Sequence, residues 1–277
     1  HKSLEEYGNA KRILFKELKP KNSFIQIDSE FGLNLYKDLL ENKAEVFSVS
    51  LDKESDFSAS FNKTDNSLDV SLKSPYGEIE FNLRTVSRYI ASNVICSIAA
   101  LSVEGVKLGK LAECASEIGF PAGRLESIRV GKDICYVDYA HTPEALKHAL
   151  KEIREFYGGE IWCVFGCGGD RDKGKRPIMG KIAEDYSDHI IITDDNPRNE
   201  ASQKIMDEIL EGTTKSENIK TISDRKEAIK FTLDEMAKRK GMNIMLLAGK
   251  GHENYQIVGS KRNKFDDRET LLSLTGS

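Results

Sequence analysis

The stretch IWCVFGCGGDRDKGKR, residues 161–176, decides the fold of the C-terminal part of this 277-residue chain. An apolar run at 161–165 passes directly into a segment rich in glycine and charged side chains. A short apolar run bounded by glycine is typical of a strand buried in a parallel sheet. Because ligands bind outside the carboxyl ends of the strands in open α/β sheets, the polar segment marks a candidate binding edge.

The same alternation of strand and helix continues from Arg124 to the C-terminus. Strands are predicted at 134–138, 161–165, 189–193, 219–222 and 243–248, and helices at 143–156, 177–186, 202–210 and 224–238. Apolar strands separated by amphipathic helices indicate a parallel sheet that is covered on both faces. We therefore predict a doubly wound, mostly parallel α/β domain over residues 121–277.

Residues 1–120 show a mixed pattern, which predicts a second α/β region. Strands are predicted at 23–28 and 44–50, and helices at 31–41, 88–102 and 107–118. Residues 58–85 alternate apolar and polar side chains around turn sequences, which indicates antiparallel strands. The glycines and the proline of 119–123 form the predicted linker between the two regions.

Length and composition exclude several classes of protein. The chain is long enough for one large or two ordinary domains. Its hydrophobic fraction of 39% is too high for a disordered acidic chain. No apolar run reaches the roughly 18 residues of a membrane span. A net charge of -4 argues against a dedicated nucleic-acid-binding protein, which would carry a basic surface.

The cysteines and the N-terminus bear on location and completeness. The five cysteines are an odd number and lie mostly in apolar runs, so we expect free thiols in a reducing compartment rather than disulfides or zinc. The N-terminus is charged and helical in pattern and resembles no signal peptide, which favours a cytoplasmic location. It also lacks an initiator methionine, so we expect either processing or a piece of a longer chain.

Charged and glycine-rich segments follow four of the predicted strands. These segments are 138–143, 166–176, 193–198 and 249–253. Because the carboxyl ends of parallel strands meet at one edge, they predict a functional cleft there. In the third segment the Asn-Pro bond fixes a turn that directs Asn196 and Arg198 into the cleft.

An arginine fork and a carboxylate in one cleft suit an amino-acid-like zwitterion. Arg198 matches a carboxylate bidentately, and Glu253 can pair with a cationic amine. Two alternatives stay open from the residues alone: Arg198 in a solvated surface turn, and Glu253 as a helix cap or a solvated carboxylate. His141 and His252 are candidate bases, but histidines near loops are more often structural.

Two nucleotide-binding motifs fit the sequence in spacing but not in residue type. Residues 169–175 fit the spacing of a phosphate loop, but Arg176 stands where Mg²⁺ needs a hydroxyl, and Asp170 and Asp172 would repel phosphates. The dinucleotide fingerprint fails because Arg171 replaces its third glycine. What remains is an anion-receiving surface of backbone N–H groups and the side chains of Arg171, Lys173, Lys175 and Arg176.

Six segments in order carry a family resemblance. They are GRLESI (123–128), VDYAHTPEAL (137–146), VFGCGGDRDKGKRPIMG (164–180), TDDNPRNE (193–200), AGKGHENYQ (248–256) and FDDRE (265–269). The sequence resembles the Mur ligases of peptidoglycan synthesis, and its DNPR is the version of the motif associated with diaminopimelate. A weaker resemblance covers residues 7–15 and 88–100.

The resemblance implies an ATP-dependent amide ligation. ATP phosphorylates the glutamyl carboxylate of UDP-MurNAc-L-Ala-D-Glu. The amine of meso-diaminopimelate, or of a close analogue such as lanthionine, then attacks the acyl phosphate, and phosphate leaves. The family also implies Mg²⁺ and a cytoplasmic enzyme, and we expect a monomer with neither nucleic acid nor membrane as a partner.

The resemblance also assigns site residues. The diamino-acid site would comprise Arg171, Asp195, Asn196, Pro197, Arg198, Gly249 and Glu253. In it, Arg171, Asn196 and Arg198 would hold the distal carboxylate, and Gly249 and Glu253 the distal amine. The ATP site would include Asn93, Arg124, Asp138, Tyr139 and His141. Lys11 matches the lysine that is carbamylated in the family, where its carboxylate helps to hold a second Mg²⁺.

Departures from the family pattern limit what the chain is expected to do. Ile90 stands in place of an asparagine of the family helix, which puts that contact in doubt. The family's phosphate loop, its Mg²⁺-binding Glu and His, and its UDP-binding domain precede the matched region. Residues 1–120 are therefore expected to be the C-terminal portion of the central ATP-binding domain, and the chain to be inactive alone. The alternative is a free-standing, non-catalytic amino-acid-binding module.

Overall fold

A computed structural model describes residues 3–214 and 217–276. The chain divides into two compact units, unit 1 (residues 1–119) and unit 2 (residues 120–277). Among the described residues, none of the helices combines the length and apolar composition needed to span a bilayer. All five cysteines are free thiols, and Cys135, Cys163 and Cys167 are buried.

Unit 1 begins with alternating helices and strands. Its elements are α1 (Leu4–Lys16), β1 (Ser23–Gln26), α2 (Glu30–Glu41), β2 (Val46–Ser50), β3 (Phe57–Thr64), β4 (Ser67–Ser74), β5 (Gly77–Leu83), α3 (Arg88–Val103) and α4 (Leu108–Glu117). Three helices start at a serine, Ser3, Ser29 or Ser87, whose side chain accepts a hydrogen bond from a backbone N–H of the first turn. Such caps satisfy one of the free N–H groups at a helix start.

The sheet of unit 1 runs in the order β1-β2-β3-β4-β5 within the described residues. The pairs β1–β2 and β2–β3 are parallel, whereas β3, β4 and β5 form an antiparallel meander. In β4, alternate residues Leu68, Val70 and Leu72 are buried. This is the one-sided burial that the alternating sequence predicts for antiparallel strands.

Unit 2 contains the elements of the candidate site. They are β6 (Glu126–Val130), β7 (Asp133–Asp138), α5 (Pro143–Phe156), β8 (Glu160–Phe165), α6 (Lys175–Tyr186), β9 (His189–Ile192), α7 (Ser202–Leu210), β10 (Ile219–Thr221), α8 (Arg225–Ala237), β11 (Asn243–Ala248), β12 (Tyr255–Val258), β13 (Lys261–Lys264) and α9 (Asp267–Thr275). The larger sheet has the order β10-β9-β8-β11-β7-β6. Only its β6–β7 pair is antiparallel among the described strands. The predicted doubly wound, mostly parallel α/β fold is confirmed.

The interiors of the central strands are apolar because helices cover them. All six residues of β11 are buried. On one side Val137, Val164 and Leu247 pack in a cluster with Ile229 of α8 and Leu271 of α9. Residues buried on both faces of a sheet read as continuous apolar runs, which is why these strands were predictable. The strand β6 and the β12–β13 hairpin were not predicted, because both are short and rich in charge.

A buried ion pair joins three elements of unit 2. Arg225 at the start of α8 donates to both carboxylate oxygens of Asp267 at the start of α9, at 2.7 and 2.8 Å. Its Nη2 also donates to the carbonyl oxygen of Ala248, the last residue of β11, at 3.0 Å. Both side chains are fully buried. The pair therefore fixes both helix starts against the end of a central strand.

Arg225→Met is expected to destabilise unit 2 by about 3–5 kcal/mol, because it leaves the Asp267 carboxylate buried without its partner. The single tryptophan, Trp162, is buried in this unit, so its fluorescence during urea unfolding measures the change. The matched control is Arg268→Met, which breaks an exposed pair with Glu126 and is expected to cost less than about 1 kcal/mol. Equal losses in the two variants would contradict this account.

Candidate functional site

Four loops leave the carboxyl edge of the sheet in unit 2. They are the β7 loop (139–142), the β8 loop (166–174), the β9 loop (193–201) and the β11 loop (249–254). Glycines let the β8 and β9 loops touch through their backbones. A Cβ atom on Gly166 would lie 2.0 Å from the carbonyl oxygen of Thr193, and one on Gly169 would lie 1.9 Å from that of Pro197. No larger residue is compatible with this packing.

The β9 and β11 loops form a buried polar cluster of Asp195, Asn196, Lys250 and Glu253. The Asn196 Nδ2 donates to Glu253 Oε2 at 3.0 Å, while the backbone N–H of Ile257 donates to Asn196 Oδ1 at 2.9 Å. The Lys250 ammonium lies 3.4 Å from Glu253 Oε2 and 3.8 Å from Asp195 Oδ1. The structure thus brings together three residues predicted for the diamino-acid site, and adds Lys250 to them.

Asp195 lies deepest among the carboxylates of this cluster. Its side chain is almost completely buried, and burial raises its pKa while the Lys250 ammonium opposes that shift. Gly249 lies against it, since a Cβ atom at that position would be 3.3 Å from Asp195 Oδ2. The Gly249 backbone has a φ of +114°, a region that favours glycine, and its N–H donates to the Asp138 carbonyl.

Arg198 is held in an unusual backbone conformation. Its φ is +51°, and its N–H donates to the carbonyl of Ile257 while its carbonyl accepts from Gly259 N–H. The guanidinium donates to the Gly169 carbonyl at 2.9 Å. Arg198 is half-buried, so it does not lie in a freely solvated turn. The preceding Pro197 is buried.

The two arginines predicted to bind a carboxylate flank one glycine. A Cβ atom on Gly168 would lie 2.8 Å from Arg198 Nη1 and 3.4 Å from Arg171 Cγ. Arg171 is exposed and has no ion-pair partner among the described residues. The Arg198 guanidinium and the stem of the Arg171 side chain thus lie beside the same glycine, and two arginines so close together make an attractive position for a carboxylate.

The prediction that Arg176 belongs to an anion-receiving surface is wrong. Arg176 is completely buried, and its two terminal nitrogens donate to Glu200 at 3.0 Å. It also donates to the Gly168 carbonyl at 3.0 Å and to Glu208. Glu200 in turn accepts from the Asp170 N–H at 2.6 Å. Since its charge is already neutralised by two carboxylates, Arg176 clamps the β8 loop to the β9 loop instead.

The two lysines of that predicted surface, Lys173 and Lys175, also have protein partners. Lys173 pairs with Glu200 at 3.4 Å, and Lys175 donates to the carbonyl of His141 at 2.6 Å. Both contacts hold the β8 loop in place. Within the described residues, Arg171 is the member of the predicted set whose side chain has no protein partner.

An aromatic cluster lies around the β7 loop. The Tyr139 ring centroid is 4.6 Å from that of His141 and 5.1 Å from that of His252, and the Arg124 guanidinium carbon lies 5.1 Å away. Asp138 accepts from the backbone N–H groups of Leu125 at 2.7 Å and Ala140 at 2.8 Å. Burial raises the pKa of Asp138, and these hydrogen bonds oppose the shift. Its carboxylate thus shapes the loop that presents the rings.

The two remaining predicted residues belong to unit 1. Lys11 is exposed on α1, with its Nζ 5.2 Å from the centre of the Tyr7 ring. Asn93 is exposed on α3, where its carbonyl accepts from Ser97 Oγ. In the described ranges, 3–214 and 217–276, no three His, Cys, Asp or Glu side chains are grouped so that they could hold a metal ion.

Two protein-family models match the chain. The Mur ligase middle domain matches residues 1–101, and the Mur ligase glutamate ligase domain matches residues 123–251. The chain belongs to the Mur ligase family. The second of these matches contains the β7, β8 and β9 loops and the start of the β11 loop, so the candidate site lies largely in a domain that this family shares.

Similar proteins of the Mur ligase family carry one recurring name. The UDP-N-acetylmuramoyl-L-alanyl-D-glutamate–2,6-diaminopimelate ligase of Buchnera aphidicola is 37% identical and is aligned with the whole chain. Its namesake in Bacillus cereus is 36% identical. The chain spans 56% and 57% of these two relatives, or about half their length. A solved structure with that name superposes with a TM-score of 0.70 at 32% identity, covering 100% of this chain and 57% of the other.

More distant Mur ligases share the fold alone. MurF from Acinetobacter baumannii superposes with a TM-score of 0.67 at 17% identity. The resemblance predicted from the six sequence segments is confirmed at the level of the family and the fold. The assigned roles of individual site residues stay predictions.

The contact between Arg176 and Glu200, which joins the β8 loop to the β9 loop, depends on pH because Glu200 titrates. The hydrogen bonds from Arg176 lower the pKa of Glu200 to about 2, whereas glutamate in an unfolded chain titrates near 4.3. A lowered pKa in the folded state contributes stability that is complete above the unfolded value and is lost as the pH falls towards the folded value. We expect wild type and Glu200→Gln to differ in urea midpoint by a constant amount above about pH 5, and by less at each step from about pH 4.3 downwards.

The control for this titration is Glu144→Gln, which changes an exposed glutamate on α5. Its midpoint should follow the wild type more closely at every pH. A difference between wild type and Glu200→Gln that does not shrink between about pH 4.3 and pH 3 would show that the clamp does not depend on the ionised carboxylate.

Proposed function

We propose that the full-length protein is an ATP-dependent ligase that joins a diamino acid of the meso-diaminopimelate type to UDP-MurNAc-L-Ala-D-Glu. One observation carries the proposal. The side chains of Arg171 and Arg198 both lie beside Gly168, on the same sheet edge as Asn196 and Glu253 of the buried polar cluster. Cationic and anionic groups at one edge match the carboxylate and the ammonium at one end of a diamino acid.

In this proposal the distal end of the diamino acid binds to the β8, β9 and β11 loops. Arg171, Asn196 and Arg198 receive the carboxylate, and Gly249 and Glu253 receive the ammonium. Pro197 and the Arg198 backbone hold the arginine in place, and Asp195 belongs to the buried polar cluster through its contact with Lys250. Lanthionine has identical ends, so the same groups would bind it. Lysine lacks the distal carboxylate and leaves the arginines without a partner.

Members of the family use ATP, and we propose that Arg124, Tyr139 and His141 contact it in this protein. A ring flanked by a guanidinium and an imidazole offers stacking and cation contacts that suit a nucleotide. Asp138 shapes that loop. Asn93, a residue of unit 1, stays a predicted ATP-binding residue. The names of relatives and the free thiols further support a cytoplasmic enzyme, which we propose to be a monomer.

Mg²⁺ is also proposed for the full-length protein. The described residues do not assemble a set of ligands for it, and a carbamate on Lys11 would supply one carboxylate. When bound, the ion would offset phosphate charge. The residues of this chain would bind one end of the diamino acid, so that its other amine is free to attack the glutamyl acyl phosphate. That amine loses a proton, an amide bond forms, and phosphate leaves.

The activity is tested on the full-length protein with ATP, UDP-MurNAc-L-Ala-D-Glu and meso-diaminopimelate. We expect a new amide in the nucleotide-linked peptide, detected by mass spectrometry, with release of ADP and phosphate in equal amounts. The 277-residue chain alone is expected to form none. Tight diaminopimelate binding by the full-length protein without any amide product would favour the non-catalytic binding module.

Arg198→Ala is expected to weaken meso-diaminopimelate binding by about 1.5–3 kcal/mol, the loss of one charge-assisted pair, while ATP binding is unchanged. Isothermal titration with each ligand measures both. Arg239→Ala, which removes an exposed guanidinium that pairs with Glu160 at the start of β8, is the matched control and should leave both affinities intact. An equal loss of ATP affinity in Arg198→Ala would refute the placement of the DNPR motif in the diamino-acid site.

A further inference from the structure

Lys250 is a completely buried cation at the centre of the buried polar cluster that it forms with Asp195, Asn196 and Glu253. Its Nζ lies 3.4 Å from Glu253 Oε2, 3.5 Å from Asn196 Oδ1 and 3.8 Å from Asp195 Oδ1. The ammonium also lies 5.6 Å from the centre of the Tyr255 ring. A buried ammonium is costly unless it is paired, and burial accordingly lowers the pKa of Lys250 while the two carboxylates oppose that shift.

The contacts of Lys250 determine which way Asn196 faces. The Asn196 Oδ1 accepts from the Ile257 backbone N–H and from Lys250. Since both of these groups are donors, the oxygen of the amide must face them, and its Nδ2 must point to Glu253. The amide is therefore locked in one of its two orientations.

The same contacts leave half of the Glu253 carboxylate free. Asn196 Nδ2 and Lys250 Nζ both donate to Oε2. Within the described residues, Oε1 accepts no hydrogen bond. One oxygen is thus anchored by the protein, and the other remains available to a ligand.

The charges around Lys250 do not cancel. Two carboxylates, Asp195 and Glu253, face one ammonium. The nearby Arg225 and Asp267 neutralise each other in their own ion pair. When Asp195 and Glu253 are both ionised, they carry one negative charge more than Lys250 neutralises, which suits a ligand that brings a single ammonium to Glu253.

We propose that Lys250 is a positioning residue that anchors Glu253 Oε2 and the Asn196 amide, so that Glu253 Oε1 selects ligands with a distal ammonium. This inference rests on the proposed function. Asp195 acts as the counter-ion of Lys250 and not as a partner of the ligand. Lys250 itself is buried beneath Glu253 and does not touch the diamino acid.

The test compares two ligands that share both carboxylates and differ in their amines. Meso-diaminopimelate has an ammonium beside each carboxylate, and pimelate has none, so neither end of pimelate brings an ammonium to Glu253. We expect the wild-type chain to bind diaminopimelate at least about tenfold more tightly, the value of one charge-assisted hydrogen bond. In Lys250→Met that preference should fall below about threefold, while the affinity for pimelate changes by less than about twofold. The exposed Lys238→Met is the matched control and should keep the wild-type preference.

A merely structural role would give a different result. If Lys250 only supported the loops, both ligands would weaken by the same factor in Lys250→Met, and the proposal would be overturned. Unchanged affinities would overturn it as well. In a Glu253→Gln background the preference should already be lost, so adding Lys250→Met should not reduce it further. Should Lys250→Met fail to fold, Lys250→Gln removes the charge but keeps a polar group for Asn196.

A measurement without ligand separates this proposal from the proposed function. The side-chain NH₂ resonances of Asn196 in ¹H–¹⁵N spectra report on its hydrogen bond to Glu253. We expect them to shift in Lys250→Met and not in Lys238→Met, and unshifted resonances would overturn the anchoring role. If the wild-type chain binds neither ligand but the resonances shift as expected, the diamino-acid assignment fails while the anchoring by Lys250 stands.

Discussion

The parallel pairing of β11 with both β7 and β8 is the constraint on which the rest of unit 2 depends. Leu247 is in register with Val137 on one side and with Val164 on the other, so the three strands end at the same level. Every loop that follows them therefore starts from one edge, and each has to pass its neighbours within a few ångströms. β9 pairs with β8 in the same parallel way, and the glycines at 166 and 169 let the β8 and β9 loops pass each other.

Charged groups buried behind this edge hold the loops in place. Arg176 joins two loops through Glu200, Arg225 joins two helix starts through Asp267, and Lys250 joins Asn196 to Glu253. A buried ion pair is a weak source of net stability, but removing one partner leaves an uncompensated charge. Such pairs therefore penalise any other arrangement of the loops, which is what a site for a small zwitterion requires.

Much of this architecture could be predicted from the sequence, for a physical reason. The central strands carry continuous apolar runs in their interiors because both faces are covered, and such a run has few other interpretations. β6 and the β12–β13 hairpin are only partly buried or exposed and mix polar with apolar residues, so hydrophobic pattern does not reveal them. At the site, the strand-end positions of Asn196, Arg198 and Glu253 were predictable. The burial of Arg176 and Lys250 was not, because a basic residue beside glycine looks the same whether it faces solvent or a carboxylate. The lysine directly after the apolar strand β11 was the available hint.

Arg198 forms backbone hydrogen bonds with the β12–β13 hairpin, so the turn that contains it is completed only after the hairpin has been synthesised. The Arg198 backbone N–H donates to the Ile257 carbonyl, and the Arg198 carbonyl accepts from the Gly259 N–H, some sixty residues further along the chain. Contacts of such high sequence separation are costly in loop-closure entropy and form slowly. During synthesis, a nascent chain that ends before the hairpin can already complete β7, β8 and β9, yet it lacks the two backbone hydrogen bonds that Ile257 and Gly259 make with Arg198. The Arg198 turn therefore gains its full set of backbone hydrogen bonds only after residue 259 has been made, when most of the sheet beneath it can already form.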